Sequence, residues 1–76
     1  MPTKVPSSAL LKRIGARLRK ARTARQLSQE SVAHLAGLDR SYVSGLERGE
    51  FNVSVLKLVQ VAKALGIRVG SLFEGE

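Results

Sequence analysis

The sequence places three hydrogen-bonding side chains close together after Gly37. Arg40 and Ser41 are adjacent and Ser44 follows one helical turn later, so a helix would carry all three on one face. An arginine can present two donors to the O6 and N7 acceptors of guanine, and a serine hydroxyl can donate or accept. An arginine near a helix start is also often only a solvated charge. The elements around these residues must therefore decide between recognition and a neutral surface.

Catalytic and metal-binding chemistry lacks the residues that it needs. The 76-residue chain has no cysteine and a single histidine, His34, which excludes Cys-based zinc sites and Cys–His nucleophile pairs. The sequence also offers no phosphate-cradling glycine loop. We interpret His34 as a solvated residue on the outward side of its helix. We therefore expect no enzymatic activity, no metal site and no cofactor.

The charge distribution indicates a polyanionic partner. The formal net charge is +7, and all six acidic residues lie from Glu30 onward, whereas residues 1–25 are rich in lysine and arginine. Basic surfaces bind phosphate backbones because binding releases counterions. A membrane surface competes at this stage, but no apolar run approaches the roughly 18 residues of a membrane span. The N-terminus also lacks the apolar core of a secretion signal, so we predict a cytoplasmic protein.

Apolar periodicity predicts an all-α fold, a compact bundle of five helices. Residues 1–7 are predicted to be a flexible N-terminal arm and residues 8–76 a single domain. The inward positions of the first helix are Leu11, Ile14, Leu18 and Ala21.

Three further segments have helix start and stop signals. Ser28 and Gly37 bound the second helix, and Asp39 and Gly49 bound the third. The fourth segment contains valines that favour a strand, but its length and its "AKALG" ending decide for a helix. Asn52 or Ser54 would cap the start of this helix and Gly66 its end, with core positions at Val55, Leu58, Val59, Ala62 and Leu65. A short fifth helix is expected around residues 71–73.

The glycine between the second and third helices predicts a sharp turn. Gly37 tolerates a left-handed backbone that costs other residues about 1 kcal/mol or more. The third helix can then cross the second and project one face outward, which is the helix-turn-helix arrangement. Five residues are predicted to build this corner: Val32, Ala33, Gly37, Val43 and Leu46.

Several motifs coincide with this arrangement: "LSQE", the Ala33–Gly37 pair, "SYVSGLERG" and "AKALGI". Together they resemble the Cro and phage-repressor helix-turn-helix family, also called the XRE type, from about Ile14 to Phe73. Within it, "DRSYVSGLERGEFNVSV" is most similar to the small controller proteins of restriction-modification systems. The resemblance implies a lambda-repressor-like DNA-binding domain that regulates transcription as a homodimer. Its palindromic operator would have half-sites about 34 Å apart, or a multiple of that.

The resemblance also implies roles for individual residues. Base contacts fall on Arg40, Ser41 and Ser44. Phosphate contacts fall on Ser28, Gln29, Tyr42, Arg48, Asn52 and Lys57, and of the last three we expect two to bind. Tyr42 has the alternative of packing against the first helix. Gly45 departs from relatives that have a long polar side chain there, so fewer direct contacts would set specificity.

Two further pairs have positioning or assembly roles in the family. Arg22 and Glu47 match a salt bridge that positions the recognition helix. Leu72 and Phe73 match the dimer interface near the C-terminus, and the alternative is that both close the domain's own core.

The resemblance leaves the biological role open between related regulators. A controller protein would repress by blocking RNA polymerase, activate by touching it, or do both. The alternative is an antitoxin or phage-type repressor whose main partner is another protein. A basic amphipathic membrane-surface peptide is disfavoured because the second to fourth helices have a folded-domain pattern.

Overall fold

The computed structural model describes residues 7–50 and 52–74 of the chain, apart from the side chain of Ser7. These residues form four α-helices: Ser7–Ala24 (α1), Gln29–Ala36 (α2), Arg40–Arg48 (α3) and Val55–Leu65 (α4). A 3₁₀ helix, Val69–Phe73 (η1), follows them. The all-α class is confirmed, but the number of α-helices is four and not five. The predicted fifth helix is a short 3₁₀ segment, the form that brief C-terminal turns often take.

The helix boundaries follow the local cap signals. Ser28 and Ser54 each accept a hydrogen bond from a backbone N–H in the first turn of the helix that follows, so of the two candidates for α4 the cap is Ser54. Asp39 occupies the N-cap position of α3 but its side chain makes no capping bond. The predicted arm at residues 1–7 lies outside the described residues except for Ser7, which opens α1.

The core is a single apolar cluster to which every helix contributes. Its buried members are Ile14, Leu18, Val32, Ala33, Ala36, Val43, Leu46, Leu58, Val61, Leu65 and Leu72. The inward face predicted for α2 and α3 is confirmed. In α1, Ile14 and Leu18 are buried as predicted, and Ala21 packs at the edge of the cluster. Among the described polar and charged residues none is buried as a whole, although the Glu47 side chain is only 5% exposed.

The core positions predicted for α4 are confirmed at Leu58, Ala62 and Leu65 but not at Val55, and Val59 is only half-buried. Val55 is 77% exposed, whereas Val61, which the pattern did not single out, is 1% exposed. The inward stripe of α4 consists of Leu58, Val61, Ala62 and Leu65, spaced three and four residues apart. Val55 opens the helix, and its first turn leaves this side chain outside the core.

Helices α1 and α3 approach each other so closely that two glycines are required. A methyl group at Gly15 would lie 2.4 Å from the Glu47 carbonyl oxygen and 2.5 Å from that of Leu46. One at Gly49 would lie 2.7 Å from the Lys12 Cα. The neighbouring atoms are backbone and cannot rotate away, so the C-terminal end of α3 rests directly on α1.

Two long-range hydrogen bonds connect the remaining elements. The Gln60 side-chain amide of α4 donates to the Ala36 carbonyl at the end of α2, at 3.2 Å. Arg17 of α1 donates to the Leu72 carbonyl of η1, at 2.8 Å. Among the described helices, none is both long enough and apolar enough to cross a membrane.

The glycines at 49 and 66 provide a matched test of the α1–α3 contact. Both have φ near +70°, but a side chain at Gly66 would meet nothing within 4 Å. We expect Gly66→Ala to cost about 1 kcal/mol from backbone strain alone. Gly49→Ala should cost about 1–3 kcal/mol more, because the methyl group overlaps α1. Urea unfolding of both variants measures this difference, and equal losses would contradict the close approach.

Candidate nucleic-acid interface

The corner between α2 and α3 is fixed by the backbone of its turn. Gly37 adopts φ 71° and its N–H bonds the last turn of α2, while the Leu38 N–H donates to the Ala33 carbonyl at 2.8 Å. This left-handed ending satisfies carbonyls that the helix would otherwise leave open. The chain reverses within Gly37–Asp39, and α3 begins at Arg40.

One face of α3 is buried and the opposite face is open. Val43 and Leu46 are 1% and 2% exposed, whereas Arg40 and Ser41 are exposed and Ser44 is half-buried. The structure therefore places the three predicted base-contact residues on the outer side of α3. A helix has a diameter of about 10–12 Å with its side chains, which matches the roughly 12 Å width of a DNA major groove.

Glu47 links α1, the start of α2 and α3. Its carboxylate accepts from Arg22 Nε at 2.6 Å and Arg22 Nη2 at 3.1 Å, and from the Gln29 side-chain amide at 3.0 Å. Arg22 Nη1 also donates to the Leu27 carbonyl at 2.8 Å. The Arg22 and Glu47 side chains are only 13% and 5% exposed. The predicted salt bridge is therefore present and fixes α3 relative to both other helices.

The hydrogen bond and the charge of Glu47 raise the pKa of Arg22 above its ordinary value, although burial acts in the opposite direction. Arginine is protonated at neutral pH in any case, and this interaction favours the charged form further. Because the Glu47 carboxylate is bonded to it, the pair adds no net charge beside the N-terminus of α2.

A crevice opens between the N-termini of α2 and α3. It is lined by Arg22, Ser28, Gln29, Glu30 and Arg40. The Ser28 hydroxyl accepts from the Ser31 N–H as the helix cap, and the side-chain amide of Gln29 is bonded to Glu47. An anion in this crevice would meet the first backbone N–H groups of α2 and the positive end of the helix dipole.

Three more of the predicted phosphate-contact residues lie at the end of α3, in the segment between α3 and α4, and on α4. Arg48, Asn52 and Lys57 are exposed. Arg48 is paired with Glu50 on the surface, through Nε–Oε2 at 2.7 Å and Nη2–Oε1 at 3.0 Å. This hydrogen bond lowers the pKa of Glu50, so its carboxylate is ionised at neutral pH.

Tyr42 packs at the edge of the core. The Lys57 ammonium lies over the Tyr42 ring, 4.8 Å from the ring centroid. One face of the Tyr42 ring is therefore covered by a side chain of α4. Such cation–π contacts at exposed sites contribute about 0.5–1 kcal/mol.

Of the two residues predicted to form the dimer interface, Leu72 lies in the core and Phe73 on the surface. Leu72 is 1% exposed and belongs to the core of its own chain, so the prediction that it forms a dimer interface is corrected: it has no surface to offer a partner. Phe73 is 42% exposed. Among the described residues three other large apolar side chains are exposed: Leu35 and Leu56, which the sequence did not single out, and Val55, which it had assigned to the core. His34 is exposed on α2 as predicted.

Sequence reasoning missed two residues that position this surface. Gly15 lets α1 contact the end of α3, and Glu50 holds Arg48. Gly15 interrupts the predicted inward face of α1 between Ile14 and Leu18, and a glycine inside a helix costs about 1 kcal/mol relative to alanine. A glycine at this costly position in a helix was therefore the sequence feature that could have predicted a close packing contact. Glu50 follows the helix end and gave no such signal.

A turn of this geometry, with the second helix presenting a polar outer face, defines a helix-turn-helix domain. A family model described as Helix-turn-helix matches residues 18–72, and the chain belongs to this family, in its XRE-type branch. The chain is 44% identical over 62 residues to the control protein C.MunI of a Mycoplasma species, covering 80% of this chain and 84% of that one.

Solved structures agree with this family. The restriction-modification controller protein C.AhdI from Aeromonas hydrophila superposes with a TM-score of 0.83 at 54% identity, covering 86% of this chain and 98% of that one. A tetramer of the controller protein C.Esp1396I in complex with its natural 35-base-pair operator matches with a TM-score of 0.78 at 32% identity, covering 86% of each chain.

The two Arg–Glu pairs allow the positioning role of Glu47 to be measured. Glu47→Ala leaves the mostly buried Arg22 charge without its partner, and we expect a loss of about 3 kcal/mol in unfolding free energy. This is the lower end of the range for buried pairs, because Arg22 keeps some contact with water. Glu50→Ala removes a carboxylate from an exposed pair and should change stability little. Chemical denaturation that shows equal losses for both variants would contradict the central role of Glu47.

Proposed function

We propose that this protein is a sequence-specific transcriptional regulator that binds double-stranded DNA as a dimer, and that it controls a restriction-modification operon. The observation that carries the proposal is the outer face of α3. Arg40, Ser41 and Ser44 lie on that face, while Val43 and Leu46 anchor the opposite face in the core. A helix held in this way can enter a major groove without losing its position on the domain.

Phosphate contacts would set the register of α3 on the duplex. The backbone N–H groups at the start of α2 suit one phosphate, and because the Gln29 side chain is bonded to Glu47, its backbone N–H is the better donor. Lys57 and Asn52 are exposed beyond α3 and would approach the backbone farther along. These contacts orient the protein, whereas the side chains of α3 read the bases.

The controller role is supported by the relatives. The proteins C.MunI, C.AhdI and C.Esp1396I carry this role in their names, and the chain covers most of the length of each. The named complex of C.Esp1396I joins a tetramer to an operator, which supports two dimers on neighbouring sites as the fully bound state. Contact with RNA polymerase would follow from such binding beside a promoter.

A phage-type repressor is the second candidate. The immunity repressor of Bacillus phage phi105 is 41% identical over 59 residues. This chain covers only 41% of that repressor, however, so the similarity extends to a part of it. The chain covers 84% of C.MunI and 98% of C.AhdI, which favours the first candidate.

Dimerisation would use the apolar side chains that the chain leaves exposed. Val55 and Leu56 are 77% and 71% exposed at the start of α4, and Phe73 is exposed at the end of η1. Contiguous exposed apolar surface commonly marks a contact with another protein. In a two-fold dimer the same patch would occur on both partners.

Selection of bound fragments from a random duplex pool tests the function directly. We expect enrichment of a two-fold symmetric site with half-sites about 34 Å apart or a multiple of that. Arg40→Ala should cost about 1–3 kcal/mol on this site and relax preference at one base pair. Gln29→Ala keeps the backbone N–H but removes the side-chain bond to Glu47 that positions the start of α2, so it should weaken binding to selected and random duplexes alike. A pool that shows no sequence enrichment would exclude sequence-specific regulation.

Two exposed leucines, Leu56 and Leu35, allow the proposed dimer contact at the start of α4 to be tested with a matched control. Leu56→Glu places a charge where two partners would meet and should weaken the dimer. We expect sedimentation equilibrium to show a rise in the dimer dissociation constant of at least about tenfold, which corresponds to about 1.4 kcal/mol. Leu35→Glu changes a leucine that is 61% exposed on α2 and should leave the dimer intact. If Leu35→Glu dissociates the dimer and Leu56→Glu does not, the interface lies on α2 instead.

A further inference from the structure

We propose that Glu50 sets the base preference of Ser44 by holding Arg48 against the serine hydroxyl. Glu50 lies outside α3 and carries a charge that repels DNA, so it is not itself a base-contact residue. It acts as a positioning residue through Arg48. The proposal rests on the proposed function, because it concerns how the outer face of α3 reads an operator.

The three side chains form one continuous chain of hydrogen bonds. The Glu50 carboxylate accepts from Arg48 Nε at 2.7 Å and from Nη2 at 3.0 Å, which is the two-point geometry that arginine and carboxylate prefer. The remaining arm of the guanidinium, Nη1, donates to the Ser44 hydroxyl oxygen. Ser44 and Arg48 are four residues apart, so both belong to the same side of α3 as Arg40.

The carboxylate determines which way the guanidinium faces. Two of its nitrogens are fixed by Glu50, and because the group is planar, the third can only point along α3 toward Ser44. The charges of Arg48 and Glu50 also cancel at this end of the helix. Arg48 is therefore a weaker phosphate anchor than an unpaired arginine, and its geometry suits the orientation of its neighbour.

This arrangement fixes Ser44 as a hydrogen-bond donor. The Arg48 guanidinium donates to one of the two lone pairs of the serine oxygen, and its positive charge disfavours a second donor at the other. Within the described part of the chain the hydroxyl proton has no acceptor. The proton is then available to a base edge, where it requires an acceptor. In the major groove guanine offers O6 and N7, adenine offers N7 and thymine offers O4, whereas the amino group of cytosine is a donor and does not match.

Without Glu50 the guanidinium is free to turn toward a phosphate. Both lone pairs of the Ser44 oxygen would then be available with no cation beside them, and the hydroxyl could accept from an amino group as readily as it donates. The discrimination between acceptor and donor bases should be lost at the single position opposite Ser44. Preference at the positions opposite Arg40 and Ser41 should not change.

Selection from a duplex pool randomised within the selected half-site tests the proposal with Glu50→Ala. We expect the wild type to disfavour cytosine opposite Ser44 by about tenfold or more relative to acceptor bases, the size of one good base contact. Glu50→Ala should bring this ratio close to one at that position alone. Glu74→Ala removes the same charge from an exposed residue beyond η1 and should keep the wild-type ratio.

Two further results distinguish positioning from a charge effect. If Glu50 only repels phosphates, Glu50→Ala will raise affinity for every sequence by the same factor and leave the base ratio unchanged, which would overturn the proposal. In a Ser44→Ala background, Glu50→Ala should cause no further change in base preference at that position. A change that persists in this background would also overturn it.

The failure of this proposal can be separated from the failure of the proposed function. A wild-type protein that selects no sequence refutes the regulator role itself. A wild-type protein that selects an operator, together with a Glu50→Ala variant that selects the same operator with equal ratios, refutes only the role of Glu50. Circular dichroism of each variant confirms that the helices are retained.

Discussion

The contact between α1 and the C-terminal end of α3 is the constraint on which the rest of the structure depends. It combines a steric requirement with an electrostatic one. Gly15 admits the backbone carbonyls of Leu46 and Glu47, and Arg22 on the same helix bonds the Glu47 side chain. Backbone contact sets the distance between the helices, and the two-point ion pair sets their rotation. The direction of α3, and so of its outer face, follows from both.

A small basic protein needs this rigidity more than it needs additional stability. Its core contains few large side chains, and a buried ion pair adds little net stability because desolvation offsets the attraction. What the Arg22–Glu47 pair supplies is orientation. Gln29 joins the same carboxylate, so the start of α2, where a phosphate would bind, and the helix that would read the bases are tied to one group. Backbone recognition and base recognition are thereby held in a fixed relation.

The surface of α3 shows two different uses of the Arg–Glu pair. The Arg22–Glu47 pair is largely buried and connects elements that are distant in sequence, whereas the Arg48–Glu50 pair is exposed and local. The first determines where α3 lies. The second orients a guanidinium toward Ser44 on the outer face of α3. Both place charged groups at the edge of the interface while the helix itself presents neutral and cationic donors.

The sequence by itself determined the elements and the outward face of α3. Serine caps, left-handed glycines and apolar spacing act within one or two helical turns, so α2, α3 and their connecting turn could be derived from local chemistry. The Arg22–Glu47 pair and the roles of individual site residues came from the family resemblance. The salt bridge is present in the structure, while the DNA contacts remain predictions.

Only the tertiary structure decided which residues the packed helices cover. It placed Leu72 in the core and Val55 in solvent, although both belong to apolar stretches that look alike in sequence. It also brought Gly15 against α3 and joined Gln29 to Glu47 across 18 positions of chain. Periodicity gives the face of a helix but not how far a neighbouring element extends along it. Burial at helix ends and contacts between distant residues therefore depend on the assembled domain.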